Sequence, residues 1–157
     1  MTAEPFLDED YRVLTSEAFD FVLNNELKRA VRSQNFLTLL LVEPTPTDPE
    51  HVPQSEVLRE VARLVSREVR ETDLLSQTTD GQLSIVLLDS DLNSSMQVVD
   101  RLVSRFQHYE FHTPVVLEVG AATCPTHGAD AETLRRAAET RPVHPRRGDR
   151  GNASTAQ

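Results

Sequence analysis

A tight reversal followed by an apolar run constrains the fold of this chain more than any other feature of its sequence. Asp80-Gly81 favours a two-residue turn, because such a turn needs positive φ and glycine adopts it at little cost. The run from Leu83 to Leu88, broken only by Ser84, predicts a strand that is buried on both faces. A tight turn joins antiparallel strands, so the sheet that holds this pair cannot be wholly parallel.

Helices and strands alternate along the rest of the chain. Apolar residues at helical spacing predict four helices: residues 16–34 with Ser16 as N-cap, residues 55–70 with Ser55 as N-cap, a stretch opened by Asp91 or Asn93, and a stretch capped by Asp130. Apolar runs predict a central strand at 36–42 and another strand at 115–122. With the hairpin, this order indicates an α+β fold, a sandwich-like arrangement in which helices flank a mixed, mainly antiparallel sheet of four to five strands.

Prolines and polar stretches predict where ordered structure gives way to loops. Each proline removes a backbone donor, so an extended loop is predicted after the first strand at Pro44, Pro46, Pro49 and Pro53. We expect one domain at 13–141, a flexible acidic lead at 1–12 and a disordered tail at 142–157.

Composition narrows the classes of partner. The formal net charge of −9 argues against non-specific nucleic-acid binding, which needs a basic surface. No apolar run approaches the roughly 20 residues that cross a bilayer, and the first residues lack the regions of a signal peptide. The single Cys124 suits a reducing cytoplasm and has no zinc-ligand spacing with the histidines. We therefore expect a cytoplasmic protein without nucleic-acid, membrane or metal partners.

Short motifs at near-correct spacing connect the chain to a known family. They are Leu14-Thr15, Leu39-Leu-Leu-Val-Glu43, Ser55-Glu-Val-Leu-Arg-Glu-Val-Ala-Arg-Leu64, Arg70-Glu-Thr-Asp73 and Val119-Gly-Ala-Ala122. In this order, over residues 13–140, they resemble the diguanylate cyclase (GGDEF) family of bacteria. The resemblance implies the ferredoxin-like fold of nucleotide cyclases and a role in cyclic di-GMP signalling.

The family signature differs in this chain. Where the family has Gly-Gly-Asp/Glu-Glu-Phe, the sequence reads Thr79-Asp80-Gly81-Gln82-Leu83. The resemblance implies that this loop approaches the substrate phosphates and that its third position binds metal. That position is Gly81 here, Gln82 replaces the acidic fourth position, and Asp80 lies one residue out of register.

Other positions of the family's active site are also changed. Glu43 can supply a carboxylate from the first strand, but the second family carboxylate falls on Thr45. Ser55 stands where a guanine-binding aspartate is expected. Joining two GTP molecules needs divalent ions held by carboxylates of the first strand and the hairpin. We therefore expect no catalytic residues and no cofactor, with Glu43 and Asp80 either a vestigial metal site or two solvated acids.

Arg70 and Asp73 match the family's inhibitory site for cyclic di-GMP. An arginine fork can hold phosphate or a guanine edge, and a carboxylate can accept guanine N–H groups. The alternative is a structural pair, formed by an arginine at a helix end and an aspartate three residues later.

The sequence thus predicts a catalytically degenerate GGDEF-like domain. Its expected role is regulation, either through cyclic di-GMP at Arg70 and Asp73 or through a protein partner or self-association. The alternative is a weakly active cyclase, which would require Mg²⁺.

Overall fold

The computed structural model describes residues 13–47, 50, 53–77, 81–109 and 114–144. Within these ranges, helices and strands follow one another in the order α1 (Ser16–Ser33), β1 (Leu37–Pro46), α2 (Gln54–Glu68), β2 (Leu74–Gln77), β3 (Leu83–Leu88), α3 (Leu92–His108), β4 (Val115–Cys124), α4 (Ala131–Thr140) and β5 (Pro142–His144). The predicted order of helices and strands is confirmed, with the short β5 added at the end.

The five strands form one sheet in the order β2-β3-β1-β4-β5. Every neighbouring pair of strands is antiparallel, so the sheet is the antiparallel form of the predicted α+β architecture. One parallel bridge, from Leu14 to Ser76, joins the segment before α1 to the outer side of β2. β1 lies at the centre, which explains why residues 37–42 are buried without interruption.

Alternation along β1 divides the core into two layers. Leu40 and Val42 point into a cluster with α2 and α3, whereas Leu39 and Leu41 point into a cluster with α1 and α4. Successive side chains of a strand lie on opposite faces, so a continuous apolar run needs helices on both sides. The position of each site residue in β1 therefore decides on which face of the sheet its side chain lies.

The N-cap residues of two helices are those predicted from the sequence, and those of the other two helices differ. The side chains of Asp91 and Asp130 cap α3 and α4, as predicted. α1 is capped by Thr15 in place of Ser16, since the Thr15 hydroxyl accepts from the backbone of Ala18. Ser55 does not cap α2, because the fixed φ of Pro53 ends the preceding loop and the helix starts directly after it.

Pro44 and Pro46 lie within β1, so the prediction of a loop at these two prolines is wrong. Thr47 donates its backbone N–H to the carbonyl oxygen of Pro114 at 3.0 Å, on the β4 side of β1. Because successive N–H groups of a strand point to opposite neighbours, the nitrogens of Pro44 and Pro46 point to the β3 side. β1 pairs with β3 only as far as Val42, so neither missing donor interrupts the sheet.

β5 corrects the prediction that order ends at Pro142. Pro142–His144 pair with β4 around an irregularity at Val119 and Gly120, and the N–H of Ala121 donates to the carbonyl oxygen of Arg141. Backbone bonding at the sheet edge orders these residues, and proline is tolerated as the first residue of an edge strand. The predicted acidic lead at 1–12 and the remainder of the predicted tail, 145–157, lie outside the described residues.

Candidate functional site

Arg70 and Asp73 meet in the turn between α2 and β2. The backbone N–H of Arg70 donates to Oδ2 of Asp73 at 3.0 Å. The guanidinium donates through Nε to Oδ2 and through Nη2 to Oδ1, each at 3.3 Å. The side chain of Asp73 is 2% exposed and that of Arg70 is 57% exposed. The two predicted ligand-binding residues are therefore brought together as a pair that is buried on its acidic side.

The pair also closes the end of the hairpin. Oδ1 of Asp73 accepts the backbone N–H of Leu88 at 3.1 Å, and the Arg70 guanidinium donates to the carbonyl oxygen of Leu88. A weaker bond of 3.4 Å joins Arg70 to the hydroxyl of Ser90. β2 pairs with β3 only from Leu74, opposite Val86. The Asp73 carboxylate thus takes the place of the next strand residue beside Leu88.

These contacts decide what each member of the pair can do chemically. Both carboxylate oxygens of Asp73 already accept N–H groups inside the protein, and bonds that involve a charged group contribute about 1.5–3 kcal/mol each. A guanine edge could bind Asp73 only by displacing some of them. The Arg70 side chain is oriented by Asp73 and also bonds Leu88 and Ser90, yet it is 57% exposed and remains reachable from solvent. The geometry therefore favours Arg70 as the contacting group and Asp73 as its support.

A buried hydroxyl network continues from this pair across the sheet. Thr38 donates its hydroxyl to the carbonyl oxygen of Ser90 at 2.9 Å and lies 2.8 Å from the hydroxyl of Thr123. The backbone N–H of Thr123 donates to Nδ1 of His127 at 2.9 Å. Burial, followed by the nearby Arg141, lowers the pKa of His127 below its usual value. His127 therefore acts here as a neutral acceptor.

The vestigial positions on β1 and after the turn lie beside a small hollow. Glu43 and Gln82 both line it, in the layer of α4. Glu118, directly opposite Glu43 in the β1–β4 register, and Glu139 on α4 line it as well. The hollow measures about 90 Å³.

Size and charge limit what this hollow can hold. Pockets for drug-sized ligands measure roughly 300–1,000 Å³, so 90 Å³ is too small for a nucleotide. Among the described residues, its lining includes three glutamates and neither lysine nor arginine, which opposes a polyphosphate unless cations are present. Within the described ranges, no three His, Cys, Asp or Glu side chains converge as a metal site would require.

Of the remaining predicted positions, Gly81 and Ser55 lie within the described residues. Gly81 has a φ of 85°, the positive φ expected of a turn glycine. Gln77 pairs with Leu83, which leaves an odd number of residues between the strands, so the two-residue turn predicted at Asp80-Gly81 is wrong. Thr79 and Asp80 lie outside the described residues, so the choice between a vestigial metal site and two solvated acids at Glu43 and Asp80 is untested. Ser55 is exposed in the first turn of α2.

A larger surface depression lies elsewhere, between α2 and α3. It measures about 520 Å³, and its lining includes Glu68, Arg101 and Arg105. Both arginines form ion pairs with Glu68, at 3.6 Å and 2.6 Å. Their charges are thus engaged within the depression.

Sequence reasoning missed several residues of both sites. Glu118 and Glu139 carried no motif, although pairing the strands that contain Glu43 and Glu118 in register would have brought those two together. The role of Leu88 involves only its backbone, which leaves no side-chain signal. Ser84, the polar break in the β3 run, is explained by Arg135 on α4, which donates to its hydroxyl at 3.1 Å.

Comparison with known proteins gives one family. A family model described as diguanylate cyclase, GGDEF domain, matches residues 54–149. No curated protein matches the chain. No helix within the described ranges is long and apolar enough to cross a membrane.

Solved structures of low sequence identity share the fold. The FimX GGDEF domain of Pseudomonas aeruginosa has a TM-score of 0.74 at 14% identity, over 86% of this chain and 90% of that one. The GGDEF domain of DgcB from Caulobacter crescentus, solved in complex with c-di-GMP, has a TM-score of 0.73 at 11% identity, over 89% of both chains. The GGDEF domain of YfiN (TpbB) from Pseudomonas aeruginosa has a TM-score of 0.72 at 18% identity, over 82% and 86%.

Proposed function

The chain belongs to the diguanylate cyclase GGDEF domain family, and we propose that it is a cytoplasmic, catalytically degenerate member that regulates cyclic di-GMP signalling by binding. The observation that carries the proposal is the state of the metal position. A glycine, Gly81, stands where the family's hairpin carboxylate is expected, and the neighbouring hollow at Glu43 is acidic and too small for a nucleotide.

The chemistry of the family explains why this position matters. Condensing two triphosphates requires divalent cations that neutralise phosphate charge and activate the attacking hydroxyl. Such cations need carboxylates on β1 and on the hairpin. Glu43 provides one on β1, Gly81 provides none, and Gln82 is neutral. A site that keeps only one of the family's carboxylates would bind magnesium nucleotides weakly.

The domain could still bind a ligand at the site formed by Arg70 and Asp73. The Arg70 guanidinium is oriented by Asp73 and exposed over more than half of its side chain. An oriented guanidinium suits the phosphate or guanine edge of a cyclic dinucleotide. Its relative DgcB was solved in complex with c-di-GMP. We propose that Arg70 contacts cyclic di-GMP and that Asp73 positions Arg70; protein contacts are the other route by which the domain could regulate.

A weakly active cyclase is the second candidate, favoured by one observation. Glu43 and Glu118 are register partners across β1 and β4, beside Gln82, so two carboxylates do lie near the hairpin end. Glu118 could replace the missing hairpin carboxylate as a magnesium ligand.

One experiment separates these readings. The protein is incubated with GTP and Mg²⁺ or Mn²⁺, and cyclic di-GMP is measured by chromatography. We expect no product from the natural chain. Product that is lost in Glu43→Ala would overturn the proposal and establish the weak cyclase.

Calorimetry with cyclic di-GMP tests the binding route in the same preparation. Arg70→Lys keeps the charge but removes the planar fork, so affinity is expected to fall at least about tenfold. Arg59→Lys, an exposed arginine within α2, is the matched control and should bind like the natural chain. Absence of heat at millimolar ligand would remove the nucleotide route and leave regulation by protein contacts.

A further inference from the structure

The two longest strands project beyond the rest of the sheet. β1 pairs with β4 from Leu37 to Pro46, but it pairs with β3 only as far as Val42. β4 pairs with β5 only at Val119 and Gly120. Residues 43–46 and 115–118 therefore form a two-stranded projection, with one outer edge on β1 and the other on β4.

The two outer edges of the projection differ in their backbone groups. On the β1 edge, the outward nitrogens belong to Pro44 and Pro46 and carry no hydrogen. On the β4 edge, the bond from Thr47 to Pro114 fixes the alternation, so the N–H and C=O groups of Val115 and Leu117 point outward. No described strand pairs with them on that side. Prolines thus protect one edge against strand pairing, and within the described part of the chain the other edge is open.

We propose that the β4 edge at Val115, Val116 and Leu117 pairs with the same edge of a second copy of this chain, around a two-fold axis at Val116. This pairing would join the two sheets into one. It goes beyond the proposed function, because it holds whether or not the domain binds or converts nucleotides.

The register makes this edge complementary to itself. In an antiparallel pair centred on Val116, Val115 of each copy faces Leu117 of the other and exchanges two hydrogen bonds with it. The two Val116 side chains meet at the axis, where aliphatic cross-strand pairs are favourable. Glu118 falls opposite Pro114 of the second copy, so no like charges face each other along the paired strands despite the net charge of −9.

The length of the free β4 edge determines how strong the strand pairing is and which partner fits it. β5 occupies the edge from Val119, and the two-fold axis repeats this limit at both ends, so each copy offers two outward residues and the pair forms four hydrogen bonds. Because each hydrogen bond exchanged with water contributes little net free energy and the apolar area is small, this predicts a weak dimer that depends on concentration. A second copy is favoured over an unrelated strand because the three-residue edge is apolar and symmetric about Val116.

A cysteine at the axis tests the pairing directly. Opposed residues of a non-hydrogen-bonded pair have Cα atoms about 4.5 Å apart, within the range of a disulfide. Val116 is half-buried and belongs to neither core cluster, so Val116→Cys should fold. The native Cys124 is buried and should not react. We expect Val116→Cys to form a covalent dimer of the full chain under mild oxidation at about 100 µM.

Thr45→Cys is the matched control, because Thr45 is the β1 neighbour of Val116. Two copies of residue 45 would lie about 14 Å apart across three strand spacings, too far for a disulfide. Cross-linking of Val116→Cys well above Thr45→Cys supports the proposal. Equal cross-linking of the two variants, or none in either, would overturn it.

Sedimentation of the natural chain and of Val115→Pro gives a second measurement. Val115 is the first residue of β4 and its nitrogen points outward, so proline removes a docking donor without breaking a bond to β1. Dimerisation of the natural chain should weaken at least tenfold in Val115→Pro while the melting temperature stays within a few degrees. A natural chain that stays monomeric to 500 µM contradicts the proposal and would point to a different occupant, such as residues after His144.

Discussion

The carboxylate of Asp73 accepts the backbone N–H of Leu88 at 3.1 Å, across the end of the β2–β3 hairpin. The same carboxylate holds the backbone and the guanidinium of Arg70. One buried side chain therefore fixes three segments: the exit of α2, the start of β2 and the end of β3. This places the residue pair that resembles a ligand site within the structural framework of the domain.

Asp73→Ala should destabilise the fold, because it leaves the backbone N–H groups of Leu88 and Arg70 without the carboxylate that accepts them. We expect a loss of about 1–3 kcal/mol in the free energy of unfolding, the cost of an unsatisfied buried donor, measured by urea denaturation. Glu132→Ala is the control, since the Glu132–Arg136 ion pair is exposed and should contribute less than about 0.5 kcal/mol. A cost for Asp73→Ala as small as the control would show that the pair is not structural.

Gly120→Ala should destabilise the packing of α4 on β4. A Cβ at this position would overlap the carbonyl oxygen of Ala138, a backbone atom that cannot move without shifting the helix. We expect a loss of about 1–3 kcal/mol by thermal or urea unfolding. Glu139→Ala, an exposed change on the same helix, should stay within about 0.5 kcal/mol. Equal stability of Gly120→Ala and the natural chain would contradict this contact.

Ser95→Ala should be neutral or stabilising. The hydroxyl of Ser95 is buried and has no hydrogen-bond partner among the described residues. Removing it relieves the cost of an unsatisfied polar group, and alanine is the better helix former, so a gain of about 0.5–1 kcal/mol is expected. Ser104→Ala, an exposed serine within α3, reports the helix propensity alone. A loss of stability above about 1 kcal/mol in Ser95→Ala would mean that the hydroxyl has a partner.

Protonation of His127 should lower the free energy of unfolding as the pH falls. Its pKa in the folded protein lies below the ordinary 6.5, because burial and Arg141 disfavour the imidazolium. The unfolded chain therefore binds this proton more tightly, so the stabilisation is complete above pH 6.5 and is lost as the pH falls through the lowered pKa. His127→Asn keeps an acceptor for Thr123 but does not titrate. The free energy of unfolding below pH 6.5 should decline more steeply for the natural chain than for this variant; parallel curves would exclude His127 as the cause.

The architecture could be predicted from the sequence because local patterns determine it. The apolar run before Glu43 and the run at Leu83–Leu88 each needed two covered faces, and the structure supplies both layers. The length of β1 could not be predicted, because the tolerance of Pro44 and Pro46 depends on where β3 ends. That is a tertiary fact, and no local signal at a proline reports it.

The candidate site was predictable only in part for a similar reason. Arg70 and Asp73 could be found because their spacing is a short motif, but the choice between ligand site and structural pair depended on the backbone of Leu88. Glu118 joins Glu43 through strand register, which a single sequence specifies weakly. The chemistry of Glu43 and Gln82 therefore depends on neighbours that lie far from them in the chain.

The carboxylate of Asp73 completes the end of the hairpin whether or not the domain binds a ligand. Because Asp73 accepts the N–H of Leu88, selection for a stable domain would by itself preserve the Arg-x-x-Asp pattern. If every sequence with this pattern were counted as a cyclase inhibited by its product, the number of regulated cyclases would then be overestimated. The exposed surface around the guanidinium, and not the aspartate, is the part of the motif that should separate members that sense the dinucleotide from members that merely fold.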